Sequence, residues 1–142
     1  MQSLVWTVVG VLAFTSGDDA TKKDKAALQG TWKVTSSVSK GVKAPPEEIF
    51  LIFRGDAILI REDGKTAENF SFALDPSKKP KEIDLTLKVG AQKGRVDRGI
   101  YQIDGGTLRI CIQSNKDAPR PGEFASPANS ELWLVVLQRT KE

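Results

Sequence analysis

The chemistry open to this chain is narrow, because its 142 residues include no histidine and a single cysteine, Cys111. Serine or cysteine nucleophiles activated by imidazole are excluded, and so is zinc held by histidine or by several cysteines. An intrachain disulfide is excluded as well. Carboxylates remain, but their setting is ordinary: Glu47-Glu48 follows Pro45-Pro46, and Glu62-Asp63 precedes Gly64. Both read as loop or turn positions, where acids are normally solvated. Glycosidase chemistry needs two carboxylates facing across a cleft, and no spacing here shows such a pair. The chain reads as non-enzymatic, with no metal and no organic cofactor.

The cations are unevenly spread. Between Asp75 and Arg98 stand seven (Lys78, Lys79, Lys81, Lys88, Lys93, Arg95 and Arg98) against four acids, an excess equal to the whole net charge of +3. Lys78, Lys79, Lys81, Arg95 and Arg98 are the candidate basic rim, which could meet an anionic polymer or lipid head groups; a solvated set of loops is the plainer reading. Nucleic acid is not expected, since no aromatic residue is interleaved with these cations.

Three short motifs carry less. Arg54-Gly55-Asp56 spells an adhesion tripeptide, but Gly55-Asp56 is what a tight hairpin turn requires. Asn69-Phe70-Ser71 is a formal glycosylation sequon inside a strand pattern. Cys111 alternates with Ile110 and Ile112, so it should face outward, either reactive or covered by a loop or the N-terminal segment. The segment 113–130 holds Pro119, Pro121, Pro127 and Phe124, and is long for a loop. Such loops tend to be lids or binding segments, and Phe124 could cap a mouth or pin the loop to an outer wall.

These residues must be positioned by strands. From Trp32 onward the apolar residues recur with period two, the mark of strands with one buried face. Trp32, Val34 and Val38 alternate with polar residues. Ile49 to Arg54 and Ala57 to Arg61 flank the Gly55-Asp56 turn. Phe70, Phe72 and Leu74 form the next run, and Ile83 to Val89 the one after. Tyr101 and Ile103 lead through Gly105-Gly106 to Leu108, Ile110 and Ile112, and Leu132 to Leu137 is apolar on both faces. Eight short strands with almost no helix indicate an antiparallel barrel or sandwich. The doubly apolar last strand favours a barrel, packed inward on the core and outward on the N-terminal segment. With strands of about five to eight residues and bulky inward side chains, the interior is expected to be filled or nearly so.

Hydrophobic content of 39% and charged content of 27% suit one globular domain. Leu4 to Phe14 is apolar apart from Thr7 and Gly10, about 11 residues where a membrane span needs roughly 20. With small residues at Thr15, Ser16 and Gly17 it reads as a secretory signal. The expected organisation is a signal peptide over 1–17, a polar linker over 18–25 and a barrel domain over 26–142. One short helical turn is expected before Gly30, capped by Asp24.

The stretches "LQGTWKV", "LDPSKKPKEIDLTL", "KGRVDRGIYQIDGGTLRICIQ", "RPGEFAS" and "LVVLQR" resemble a family of small planctomycete domains of unknown function, often found behind signal peptides. That family looks lipocalin-like in its Gly-x-Trp entry. The resemblance implies an all-β, eight-stranded, lipocalin-like up-and-down barrel and no activity. In such barrels the entry tryptophan closes one end and an arginine after the last strand stacks on it, which matches Trp32 and Arg139 as a structural plug.

The expectation is an exported, monomeric, non-enzymatic barrel in the periplasm or outside the cell, with no membrane span after processing. It would bind a small apolar ligand or an envelope component. The site is expected at the mouth between loops 113–130 and 44–49, with Tyr101, Phe124 and Phe72 as its residues. The alternative is an interaction module with a filled core, and the third reading is a carboxylate enzyme.

Overall fold

The computed structural model describes residues 16–45 and 48–141; the apolar stretch read as a signal, and Glu47, lie outside them. Helix α1 (Ser16–Leu28) is followed by β1 (Gly30–Ser39), β2 (Val42–Lys43), β3 (Ile49–Arg54), β4 (Ala57–Glu62) and β5 (Lys65–Asp75). Then come β6 (Lys81–Leu87), β7 (Val96–Asp104), β8 (Thr107–Gln113) and β9 (Leu132–Thr140). Each strand pairs antiparallel with the next from β3 to β9, and β1 pairs with both β3 and β9. Eight strands thus close a barrel, and β2 is a two-residue spur on β1.

Closure rests on a long β1–β9 ladder running from Thr31↔Thr140 to Ser39↔Trp133, with a bulge between Val34 and Ser36. β1 pairs with β3 only from Gly30 to Lys33, then continues along β9 alone and turns into β2. The turn needs Gly41 (φ 77°), where a Cβ would sit 2.8 Å from the Ala128 backbone.

The two ends of the barrel differ. At the closed end Trp32 is fully buried and its Nε1 donates to the Leu28 carbonyl at 2.8 Å. The Arg139 guanidinium lies 4.3 Å from the Trp32 ring centroid and donates to the carbonyls of Gln29 (2.8 Å) and Ala27. Leu28 is buried beneath it, and Phe53 meets Phe72 edge to face, 5.4 Å between centroids.

The polar linker expected over 18–25 is instead helical. α1 runs 13 residues to Leu28, so Asp24 lies inside the helix and does not cap it. Its few apolar residues gave no amphipathic signal, because polar contacts also hold it. Asp24 accepts from Tyr101 Oη (2.7 Å) and Lys81 Nζ (2.9 Å), Lys25 pairs with Asp56, and Gln29 Nε2 donates to Gly55 O at 3.0 Å. α1 packs on β5 and β7, not over β9, whose outward Leu134 and Val136 remain half-buried.

The long β8–β9 connection straps the outer wall. Cys111 and Ile100 face outward yet are fully buried, and Cys111 Sγ lies 3.4 Å from Ala125 O. Arg120 anchors the strap: its Nη1 donates to the carbonyls of Ile83 (3.2 Å) and Gly99 (3.0 Å). The same Nη1 lies 2.8 Å from Asp84 Oδ1; with its hydrogens directed at the two carbonyls, that contact is an ion pair and not a hydrogen bond.

Removing the plug's cation has a definite expected result. Arg139→Ala should lower stability by about 1–2 kcal/mol, from the lost ring contact and carbonyl bonds. It should leave binding at the other end unchanged. An unaltered melting temperature would contradict the plug.

Candidate functional site

The open half of the barrel holds a cavity of about 520 Å³. Its walls are built by alternation. Leu51, Ile58, Phe70, Leu85, Ile110 and Val135 project from six strands onto one face, because directly paired residues share a face of the sheet. The filled interior expected from the sequence is therefore found only at the closed end. Trp32, Tyr101, Phe53 and Phe72 gather there, whereas the wall of the open half is mostly aliphatic, with Phe70 and Trp133 as its aromatic residues and the small Ser39 and Ala67 near the mouth. The strands are also longer than expected, 10 residues in β1 and 11 in β5, which lengthens the wall beyond the plug.

The mouth is polar. Glu62, Glu68, Asp97 and Glu131 line it, together with Arg95, Ser39, Ser114 and Trp133. Asp97 points inward because it pairs with Leu85 in the β6–β7 ladder, and it is only 3% exposed. Burial of a carboxylate requires a partner. Arg95 supplies it through a two-pronged contact, Nε to Oδ1 at 2.8 Å and Nη2 to Oδ2 at 3.0 Å. That hydrogen bonding raises the Arg95 pKa above its usual value against the opposing effect of burial. Trp133 is fixed by its Nε1, which donates to Ser37 Oγ at 2.7 Å.

None of the three expected ligand residues lines this cavity. Tyr101 stands in the closed half, bound to Asp24. Burial, and then the Asp24 hydrogen bond, push its hydroxyl pKa well above the usual value. Phe72 packs in the core on Phe53. Phe124 lies on the outer wall with the Arg109 guanidinium 4.5 Å from its ring centroid, so the loop is pinned outside and does not cover the mouth. Tyr101 and Phe124 do share one shallow groove near the closed end, bordered by Lys78, Lys79 and Lys81. The expected location at the mouth agrees better: Ser114 and Glu131, at the roots of the long loop, and Ile49, after the other, line the cavity.

The basic rim does not form one surface. β6 runs the length of the wall, so Lys78, Lys79 and Lys81 fall at the closed end while Arg95 falls at the open end, committed to Asp97. Arg98 is spent on the strap carbonyls of Lys116 (3.1 Å) and Ala118. What the sequence reading missed is Arg95, Asp97, Glu68 and Trp133 as mouth residues. Alternation from Tyr101 back through Gly99 would have put Asp97 inside.

Among the described residues no group of side chains could hold a metal ion, and no helix is long and apolar enough to cross a membrane. Comparison with protein-family models, curated proteins and solved structures gives no match to this chain.

Two outcomes follow from this geometry. Tyr101 is the chain's only tyrosine, so its ionisation can be followed by absorbance. In the unfolded chain it ionises near pH 10, while the folded hydroxyl stays protonated to higher pH. Its contribution to stability is therefore complete below about pH 10 and is lost as the pH rises further. Tyr101→Phe should cost about 1 kcal/mol at neutral pH and flatten the alkaline fall in melting temperature; an equally steep fall would contradict the buried hydroxyl. Burial likewise raises the Cys111 thiol above its usual pKa. Native protein should react slowly with a thiol reagent, and Arg120→Ala should speed that reaction by about tenfold or more by loosening the strap. Fast labelling of the unmodified protein would contradict the covered thiol.

Proposed function

We propose that this protein is a non-enzymatic, monomeric carrier that holds a small apolar molecule or envelope component in the open half of its barrel. The observation that carries this reading is the cavity of about 520 Å³, walled mainly by apolar side chains and reached through a polar mouth. Ligand pockets occupy about 300–1,000 Å³, and this volume favours a carrier over an interaction module with a filled core. The carrier acts outside the cytoplasm. Support for that placement is the apolar run Leu4 to Phe14 followed by small residues, together with the resemblance to planctomycete domains that follow signal peptides. N-terminal sequencing of the product from its own host checks it; an intact Met1 on cytoplasmic protein would contradict export.

Trp133 lines the cavity and Trp32 sits in the plug, which gives a direct optical test. Titration with dodecanol, a neutral alkyl probe, should change the tryptophan emission saturably. The change should be lost in Trp133→Phe, whose signal lacks the wall reporter. Val135→Phe, which fills the cavity, and Ala67→Phe, which narrows the mouth from a less buried position, should each weaken binding by about tenfold or more. No saturable change up to the solubility of the probe would contradict the carrier.

A further inference from the structure

The charges at the cavity mouth are mostly of one sign. Among the described residues four carboxylates line the mouth, Glu62, Glu68, Asp97 and Glu131, and Arg95 is the one cation. The charge of Arg95 is already balanced. Its Nε and Nη2 donate to Asp97 and its Nη1 to Gln92 Oε1, which engages three of its five N–H bonds, and Glu68 adds a second negative charge close by. A carboxylate or phosphate head would therefore meet a rim whose one cation is paired and whose remaining charges are negative. Lysines on the surrounding segments (Lys40, Lys43, Lys65, Lys88, Lys93 and Lys116) are exposed, and none lines the cavity.

The acids are differently placed. Glu62, Glu68 and Glu131 are exposed at the mouth, and no ion pair holds any of them among the described residues; Glu131 Oε1 accepts from Asn115 Nδ2 at 2.9 Å, a neutral partner that leaves its charge unbalanced. Glu68 is directly opposite Ile60 in the β4–β5 ladder, so an acid stands next to the aliphatic wall. Trp133 adds an aromatic surface, and its ring is oriented by the Ser37 bond. Carboxylates beside an indole form a cation-binding surface, because a desolvated cation is attracted to both the charge and the ring quadrupole.

We propose that the ligand of this cavity is a cationic amphiphile, an alkyl chain or apolar ring system ending in an ammonium group. The apolar portion occupies the wall from Ile60 to Val135, and the ammonium stays at the rim among Glu62, Glu68, Glu131 and the face of Trp133. This inference rests on the carrier reading and adds the sign of the head group to it.

The test uses three probes of one chain length below their micelle concentrations: dodecyltrimethylammonium, dodecanol and dodecanoate. Each is titrated calorimetrically into the full-length protein. The ammonium probe should bind about tenfold or more tightly than dodecanoate, with dodecanol between them. The whole chain carries a net charge of +3, so unspecific attraction would favour dodecanoate, and a cationic preference must arise locally. Glu68→Gln with Glu131→Gln should remove most of the preference, weakening the ammonium probe by about tenfold or more and dodecanol by much less. Added salt should weaken the ammonium probe alone. Dodecanoate binding as tightly as the ammonium probe, or a preference that survives the double substitution, overturns the head-group assignment while the carrier reading stands. Failure of all three probes to bind overturns both.

Discussion

Pairing of β1 with β9 is the constraint on which the rest of this structure depends. A sheet of short strands leaves two edges of unpaired backbone, and joining them removes both. The ladder from Thr31↔Thr140 to Ser39↔Trp133 does this, and it fixes the position of Arg139 beside Trp32 at one end and of Trp133 beside Ser37 at the other. One ladder thereby sets the plug and one wall of the cavity mouth. The bulge at Val34/Ser36 and the departure of β1 from β3 after Lys33 occur midway, where the packed half gives way to the open one.

That division of the interior has a simple volumetric origin. Trp32, Phe53, Phe72 and Tyr101 are concentrated on the side of α1, where Leu28 and Arg139 complete the packing. The other half carries mostly leucine, isoleucine and valine on the same inward positions, with Phe70 and Trp133, and its last inward residues are Glu68, Asp97 and Ser39. An eight-stranded barrel can be filled or can hold one small ligand, and with fewer bulky side chains in this half space remains. The strap over Cys111 and Ile100 leaves that space alone, since Arg120 and Phe124 fasten it to the outer face.

The sequence announced the strands well, because the alternation seen in most of them is a local signal that one buried face enforces. The Trp32–Arg139 plug was legible only through the resemblance of the Gly-x-Trp entry to lipocalin-like barrels, and Arg139 lies within β9, opposite Trp32, and not after it. The helical turn before Gly30 was legible, but its extension back to Ser16 was not, because a segment held largely by polar contacts of Asp24 and Lys25 looks like a linker. The cavity was not either: periodicity tells which residues point inward, but not how the large ones are shared between the two ends. Tyr101 and Phe72 were expected at a site, and their size is what fills the opposite end. Asp97 was counted with a charged segment although its register with Leu85 places it inside. For Phe124 the mouth and the outer wall were both open readings, and its stacking with the outward Arg109 decides for the wall.

The central claim, that the open half of the barrel is a binding cavity, is tested most directly by native mass spectrometry of protein purified gently from its own host. The account predicts a reproducible mass adduct that is released on denaturation and absent from Val135→Phe prepared in the same way. A bare polypeptide mass, or an adduct that persists in the filled variant, would contradict it.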